Sequence, residues 1–286
     1  MKRTLLLFSA VTTILAGCAA NIPYRVEGFV DMHECKALYN RYLDIRDAPL
    51  EDIQNQCWKR SIEERDKFDL LIVEFDDQGW VQNTSNLQRP AEDHLDAFFE
   101  QLKKHYREHC NKGLLLVVYT HGWHHNADAT DEDMNEFRGL LESIALAEEP
   151  NGRRVIGVYV GWRGESVTMT IIRKLTFWDR KNTAERVSQG SVRELFARLG
   201  VFRNRAKEAP ACKDVRMLTI GHSFGGLITF QSLSSDFLHA ATHSTATDFP
   251  SRFGELVVIV NPAFEGTRYE PLKAAGQRLR DLPRKQ

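Results

Sequence analysis

The chain has 286 residues, a formal net charge of −1 and 42% hydrophobic residues. This length leaves room for one large α/β domain or two small ones. The nearly neutral charge argues against a protein that binds nucleic acid through overall positive charge, so no nucleic-acid partner is predicted.

The first 17 residues predict an export signal. Two basic residues precede the apolar stretch Leu5–Leu15, which is too short to span a bilayer comfortably. The stretch ends in Leu-Ala-Gly-Cys, which resembles the bacterial lipobox and implies cleavage before Cys18 and lipid attachment to its sulfur. Ala19, by resemblance to enterobacterial lipoproteins, favours the outer membrane. We therefore expect an anchor that does not span the membrane; the alternative is an ordinary signal peptide.

Residues 18–65 are interpreted as a polar lead-in, and residues 66–286 as the folded domain. A helical pattern lies around Lys36–Leu43. A hairpin is predicted from the strand Leu70–Phe75 to the strand Trp80–Gln82. Pro90 then opens a helix that runs to about His109.

The central part of the domain alternates strands with helices. A helix is predicted over about Asp131–Glu149, with Thr130 as its cap. Such alternation predicts a mostly parallel sheet covered by helices on both faces. Four apolar runs predict buried strands: Leu114–Tyr119, Val155–Val160, Met217–Ile220 and Leu256–Val260.

One connection, at about residues 161–213, is longer than a single crossover helix requires. Residues 153–207 carry 13 Lys/Arg against 4 Asp/Glu, whereas residues 91–149 carry 5 against 13. Both regions could simply be solvated helical faces. The functional alternative is a helical cap over the site whose basic side meets anionic lipid head groups.

The segment Val215–Gly226 carries the strongest functional signal. An apolar strand runs into Gly-His-Ser-Phe-Gly-Gly, and an apolar helical pattern follows. Strand, sharp turn and helix are the setting in which a serine becomes a nucleophile, so Ser223 is the candidate catalytic residue. Glycines at 221 and 225 indicate that strand and helix approach too closely for side chains.

A second motif follows the strand Leu114–Tyr119. His121-Gly122-Trp123 stands where the other half of an oxyanion hole is expected, so the backbone N–H groups of Trp123 and Phe224 are the predicted donors. With both motifs present in this order, the stretch from about Asp69 to Ala275 resembles the α/β-hydrolase superfamily, on its lipase and esterase side. Thr176–Lys181 and Ser191–Leu199 are similar to segments of uncharacterised bacterial lipoprotein hydrolases.

The chain departs from the family pattern after Ser223. The resemblance implies an acid and then a histidine on loops after late strands. Here His239 and His243 are the only later histidines, and both are predicted at the far end of the helix that leaves the serine. Glu265 is the nearest acidic candidate. We therefore expect a C-terminally truncated hydrolase fold.

The resemblance also implies a pairing for the four remaining cysteines. In an α/β-hydrolase sheet, the strand before the His-Gly loop and the strand before the serine are parallel neighbours. Cys110 and Cys212 shortly precede these two strands and would therefore come within disulfide reach. Cys35 and Cys57 would then pair by elimination, although four reduced thiols are the alternative.

These observations predict an envelope lipoprotein that cleaves acyl esters or lipids through Ser223. The alternative is a catalytically impaired or inactive hydrolase-fold protein with a binding role. No cofactor is predicted. No metal site is predicted either, because the cysteines lack CxxC spacing and the histidines of the His-Gly loop lack i,i+4 spacing.

Overall fold

The computed structural model describes residues 22–29, 33–82, 91–164, 177–208, 212–243 and 253–280. The predicted signal peptide and Cys18 lie outside these residues. Among the described residues, no helix combines the length and the apolar character needed to cross a bilayer.

A six-stranded, mostly parallel sheet forms the centre of the fold, in the order β1-β2-β4-β3-β5-β6. Only β1 is antiparallel to its neighbour. All four predicted strands are present, within a few residues at their ends. The predicted burial is wrong for the last of them, because β6 is an edge strand whose residues are partly or fully exposed. The strands are β1 Ile62–Glu64, β2 Phe68–Phe75, β3 Leu114–Thr120, β4 Arg154–Trp162, β5 Val215–His222 and β6 Leu256–Val260.

Helices cover both faces of this sheet, as predicted. Apolar residues of α3, α6 and α7 join one face in a single buried cluster, and α4 covers the other face. The α-helices of the described residues are α1 His33–Arg41, α2 Leu50–Ile53, α3 Ala91–Glu108, α4 Glu132–Glu148, α5 Phe177–Val187, α6 Ser191–Glu208, α7 Phe224–His243 and α8 Glu270–Arg280.

The long connection between β4 and β5 differs from the predicted cap. Its second helix, α6, buries five apolar side chains in the core cluster and is therefore a crossover helix of the sheet. These side chains belong to Val192, Leu195, Phe196, Leu199 and Ala206. Several of its basic residues form ion pairs, among them Arg180 with Asp77 at 3.0 Å and Arg198 with Asp96 at 2.7 Å. The excess positive charge of this segment is therefore partly neutralised by acidic residues elsewhere in the chain.

Two local predictions need adjustment. The side chain that caps α4 belongs to Asp131, which accepts a hydrogen bond from the Asp133 N–H, and not to Thr130. The lead-in also contains the strand β1, which was not predicted. It pairs with β2 from Ile62 opposite Leu71. The lead-in therefore extends the sheet. The predicted hairpin is confirmed by the antiparallel bridge between Phe75 and Val81.

Both predicted disulfides are present, one between Cys35 and Cys57 and one between Cys110 and Cys212. As expected, β3 and β5 are parallel neighbours, in register from Leu114 opposite Val215. The two cysteines precede strands that enter the same edge of the sheet. Their disulfide closes a long loop, which restricts the unfolded chain more than a short one does.

A buried ionic cluster joins the lead-in to the rest of the fold. The Glu63 carboxylate of β1 is fully buried and contacts the guanidinium groups of Arg25, Arg65 and Arg138. Arg138, on α4, makes two hydrogen bonds to it, at 3.0 and 2.8 Å. Burial opposes ionisation of the carboxyl group, but the three cations outweigh it and hold the pKa of Glu63 well below its usual range.

We expect Glu63→Gln to lower the free energy of unfolding by about 3–5 kcal/mol, because it leaves buried guanidinium groups without their counter-charge. The matched control is Glu64→Gln. Glu64 is partly exposed and lies 3.8 Å from Lys104, so its loss should cost less than about 1 kcal/mol. Urea unfolding at neutral pH measures both, and equal effects would contradict the role given to Glu63.

The same cluster predicts how stability depends on pH. Since the pKa of Glu63 is lowered by folding, its contribution is fully present above the unfolded value of about 4.3. That contribution is lost as the pH falls further, toward the folded pKa.

Candidate functional site

Ser223 occupies the turn between β5 and α7 in a strained backbone conformation. Its φ is +53°, in the left-handed region that residues other than glycine rarely adopt. Its N–H donates to the Val260 carbonyl at 2.9 Å, and its own carbonyl accepts from Ala263 at 3.0 Å. These bonds tie both polar groups of the serine backbone to the end of β6, so the surrounding structure holds the strained turn in place.

The glycines around Ser223 allow the close approach that the sequence predicted. A Cβ atom built on Gly225 would lie 2.0 Å from the Thr120 carbonyl oxygen and 2.4 Å from that of His121. One built on Gly221 would lie 2.7 Å from the Thr229 hydroxyl. Side chains at either position would therefore force α7 away from the sheet.

The structure brings the two predicted motifs together. A Cβ atom built on Gly122 would lie 3.2 Å from the Ser223 Cβ and 3.2 Å from the His222 Nδ1. The ring of Trp123 lies 6.2 Å from that of Phe224, centroid to centroid. Phe224 is the first residue of α7, and the first N–H groups of a helix have no acceptor within the helix. Donation by Trp123 and Phe224 to an oxyanion remains a prediction.

His121, the first residue of the His-Gly motif, has a structural role, since it joins the loop after β3 to the end of β4. Its side chain is fully buried, and Nε2 accepts a hydrogen bond from the Trp162 N–H at 3.0 Å. The other ring nitrogen, Nδ1, therefore carries the proton and donates to the Gly122 carbonyl at 2.9 Å. Burial lowers the pKa of His121 and favours this neutral form. With both nitrogens in use, His121 is not available as a general base.

His125 lies in the same loop and is held by two carboxylates. Its Nδ1 is 3.1 Å from Asp131, and its Nε2 is 3.9 Å from Asp133. Burial alone would lower the pKa of His125, but the hydrogen bond to Asp131 and the two negative charges raise it. The raised pKa favours the protonated ring of His125. Its contacts with Asp131 and Asp133 therefore hold the loop in place, and His125 is not a base directed at Ser223.

For the remaining histidines, the contacts described between residues of the structure give no carboxylate partner at this edge of the sheet. All ten histidines of the chain belong to the described residues. His239 and His243 lie near the end of α7, which places them roughly 22 Å or more from its first residue at 1.5 Å per residue. His222 lies against Gly122 beside Ser223. His124, with φ of +74°, stacks on the ring of Trp123.

Glu265, the acidic candidate, is engaged elsewhere. Its carboxylate accepts a hydrogen bond from Lys181 at 2.7 Å and contacts Arg268 at 3.2 Å. The hydrogen bond from Lys181 lowers the pKa of Glu265 to about 2. The structure therefore gives Glu265 two basic partners and no histidine to orient.

The close packing behind Ser223 can be tested with two Gly→Ala substitutions. Gly225→Ala should lower the free energy of unfolding by about 3 kcal/mol, since its Cβ meets backbone that cannot move cheaply. Gly139→Ala is the control. Gly139 lies within α4 with nothing within 4 Å of a built Cβ, so alanine there should stabilise by up to about 1 kcal/mol. Thermal or urea unfolding distinguishes the two, and a tolerated Gly225→Ala would contradict the packing.

Comparisons with known proteins give no further assignment. No protein-family model matches this chain, and no curated protein or solved structure matches it. What is established is an α/β fold with a mostly parallel six-stranded sheet, with Ser223 at the carboxyl end of β5.

Proposed function

We propose that this protein is an envelope lipoprotein with an α/β-hydrolase fold that cleaves acyl esters through Ser223. The observation that carries the proposal is the strained serine between β5 and α7, in contact with the His-Gly loop that follows β3. Strain at a solvent-side turn is retained in folds where it positions a reactive group. The lipid anchor at Cys18 rests on the sequence alone.

The proposed chemistry uses three groups at the carboxyl end of the sheet: the serine hydroxyl, the start of α7 and two backbone N–H groups. The Ser223 hydroxyl attacks the ester carbonyl carbon, the alcohol departs, and an acyl-serine ester remains for water to cleave. The positive end of α7 and the N–H groups of Phe224 and Trp123 are suited to stabilise the negative charge on the carbonyl oxygen. A neighbouring base would normally take the serine proton, and here solvent or His222 must do so.

Because the contacts described here orient no histidine toward Ser223, the expected activity is low. An acyl-transfer enzyme that lacks its base keeps an acceleration on the order of a thousandfold over water, from the oxyanion hole and substrate binding. Activated esters, whose leaving groups need no proton, should therefore react far better than ordinary ones.

The arrangement of the histidines also supports a second candidate function, an envelope binding protein on the same scaffold. The carboxylate-paired histidine at this edge, His125, has both ring nitrogens directed at acidic side chains. A site that binds a carbonyl compound without turnover needs the oxyanion donors and no base. The two functions differ in whether Ser223 becomes covalently modified.

A fluorophosphonate probe distinguishes the ester hydrolase from the binding protein. We expect the folded protein to be labelled at Ser223, and Ser223→Ala to abolish the labelling. Ser143→Ala is the control, because Ser143 lies exposed on α4 and bonds only within its own helix. Labelling that survives Ser223→Ala, or folded protein that takes up no probe, would reject the hydrolase proposal, and the second outcome would favour the binding role.

A further inference from the structure

The C-terminal end of α3 groups three metal-binding side chains far from Ser223. His105 and Glu108 lie in the last turn of α3, and His109 directly follows it and continues the turn, with its N–H donating to the His105 carbonyl at 3.0 Å. One ring nitrogen from each histidine and one Glu108 carboxylate oxygen all lie within 4.8 Å of one another. A tetrahedral zinc ion with ligands at about 2.1 Å separates them by roughly 3.4 Å, so modest side-chain rotations would close the site.

The surroundings of His105 match those of a metal-binding histidine. Its side chain is only 4% exposed, and its Nδ1 lies 3.4 Å from the Asp69 carboxylate of β2. Within the described residues, its Nε2 is buried without a hydrogen-bond partner, which is costly for a polar atom. Metal-binding histidines commonly donate one ring N–H to a carboxylate and present the other nitrogen to the metal.

Asp69 is itself held in place. Arg154, the first residue of β4, donates to its two carboxylate oxygens at 2.8 and 2.6 Å. The side chain that would orient His105 therefore belongs to the rigid sheet.

We propose that His105, Glu108 and His109 form a binding site for a divalent transition metal, with Zn²⁺ as the best fit. Two imidazoles and one carboxylate suit zinc, and water can supply a fourth ligand. The proposed metal site lies where β2 and β4 begin, whereas Ser223 lies where β5 ends. Because these strands are parallel, the two sites are at opposite ends of the strands. The metal would fasten the end of α3 and take no part in acyl transfer.

Zinc titration of the full chain, stripped of metal and with its disulfides intact, tests this proposal. We expect one Zn²⁺ per chain by calorimetry and a rise in melting temperature on zinc addition. Cobalt substitution should give the absorption of a tetrahedral site. His109→Gln and Glu108→Gln should each weaken zinc binding by at least about tenfold; both side chains are more exposed than His105, so the variants should fold.

His243→Gln is the matched control. His239 and His243 also form an i,i+4 pair, on α7, and their rings stack at 4.1 Å, but among the described residues no acidic side chain completes a three-ligand group there. Since this pair lies outside the proposed site, zinc affinity should be unchanged in His243→Gln. The proposal is overturned if the wild type binds no zinc, if His109→Gln binds it as tightly as the wild type, or if His243→Gln abolishes binding.

Discussion

The buried carboxylate of Glu63 is the constraint on which much of this structure depends. It lies on the edge strand β1 and binds guanidinium groups from the lead-in, from its own strand end and from α4. Two of these groups also hold the segment after the His-Gly motif, since Arg25 donates to the Ala127 carbonyl and Arg138 to the Ala129 carbonyl. One buried charge therefore joins three distant parts of the chain.

This arrangement connects the lead-in to the candidate site. The segment held by Arg25 and Arg138 continues the loop that begins at Gly122, and Gly122 lies against Ser223. The same loop is fastened at its start by His121 and further along by His125. Hydrogen-bond donors lower a reaction barrier only when they are fixed before the reaction, and these contacts fix the loop. The polar lead-in is therefore a support for the site as well as an extension of the sheet.

Features that depend on neighbouring residues, or on the order of the strands, could be predicted from the sequence. Apolar runs located β3, β4, β5 and β6, and the glycines around Ser223 indicated the close approach of β5 and α7. The neighbouring positions of two parallel strands placed Cys110 beside Cys212.

The remaining features depend on partners that are distant in the chain. Nothing near Glu63 shows that Arg138, 75 residues later, will bury it, so β1 was interpreted as part of a polar lead-in. His121 resembles a site residue until Trp162 of the adjacent strand occupies its Nε2. The segment that contains α6 was predicted as a cap because the connection at about residues 161–213 is unusually long, whereas the apolar face of α6 packs against the sheet. The spacing of His105 and His109 was visible, but the burial of His105 against Asp69 was not.

We propose above all that Ser223 is a positioned nucleophile in a site without a strong base. Such a site should accept an acyl group from an activated ester faster than it releases it. Intact-mass spectrometry during incubation with a p-nitrophenyl ester measures this directly, and peptide mapping locates the modification. The account predicts one acyl group per chain, at Ser223, that accumulates and persists. Folded protein that stays unacylated, or that is acylated at another residue, would contradict it.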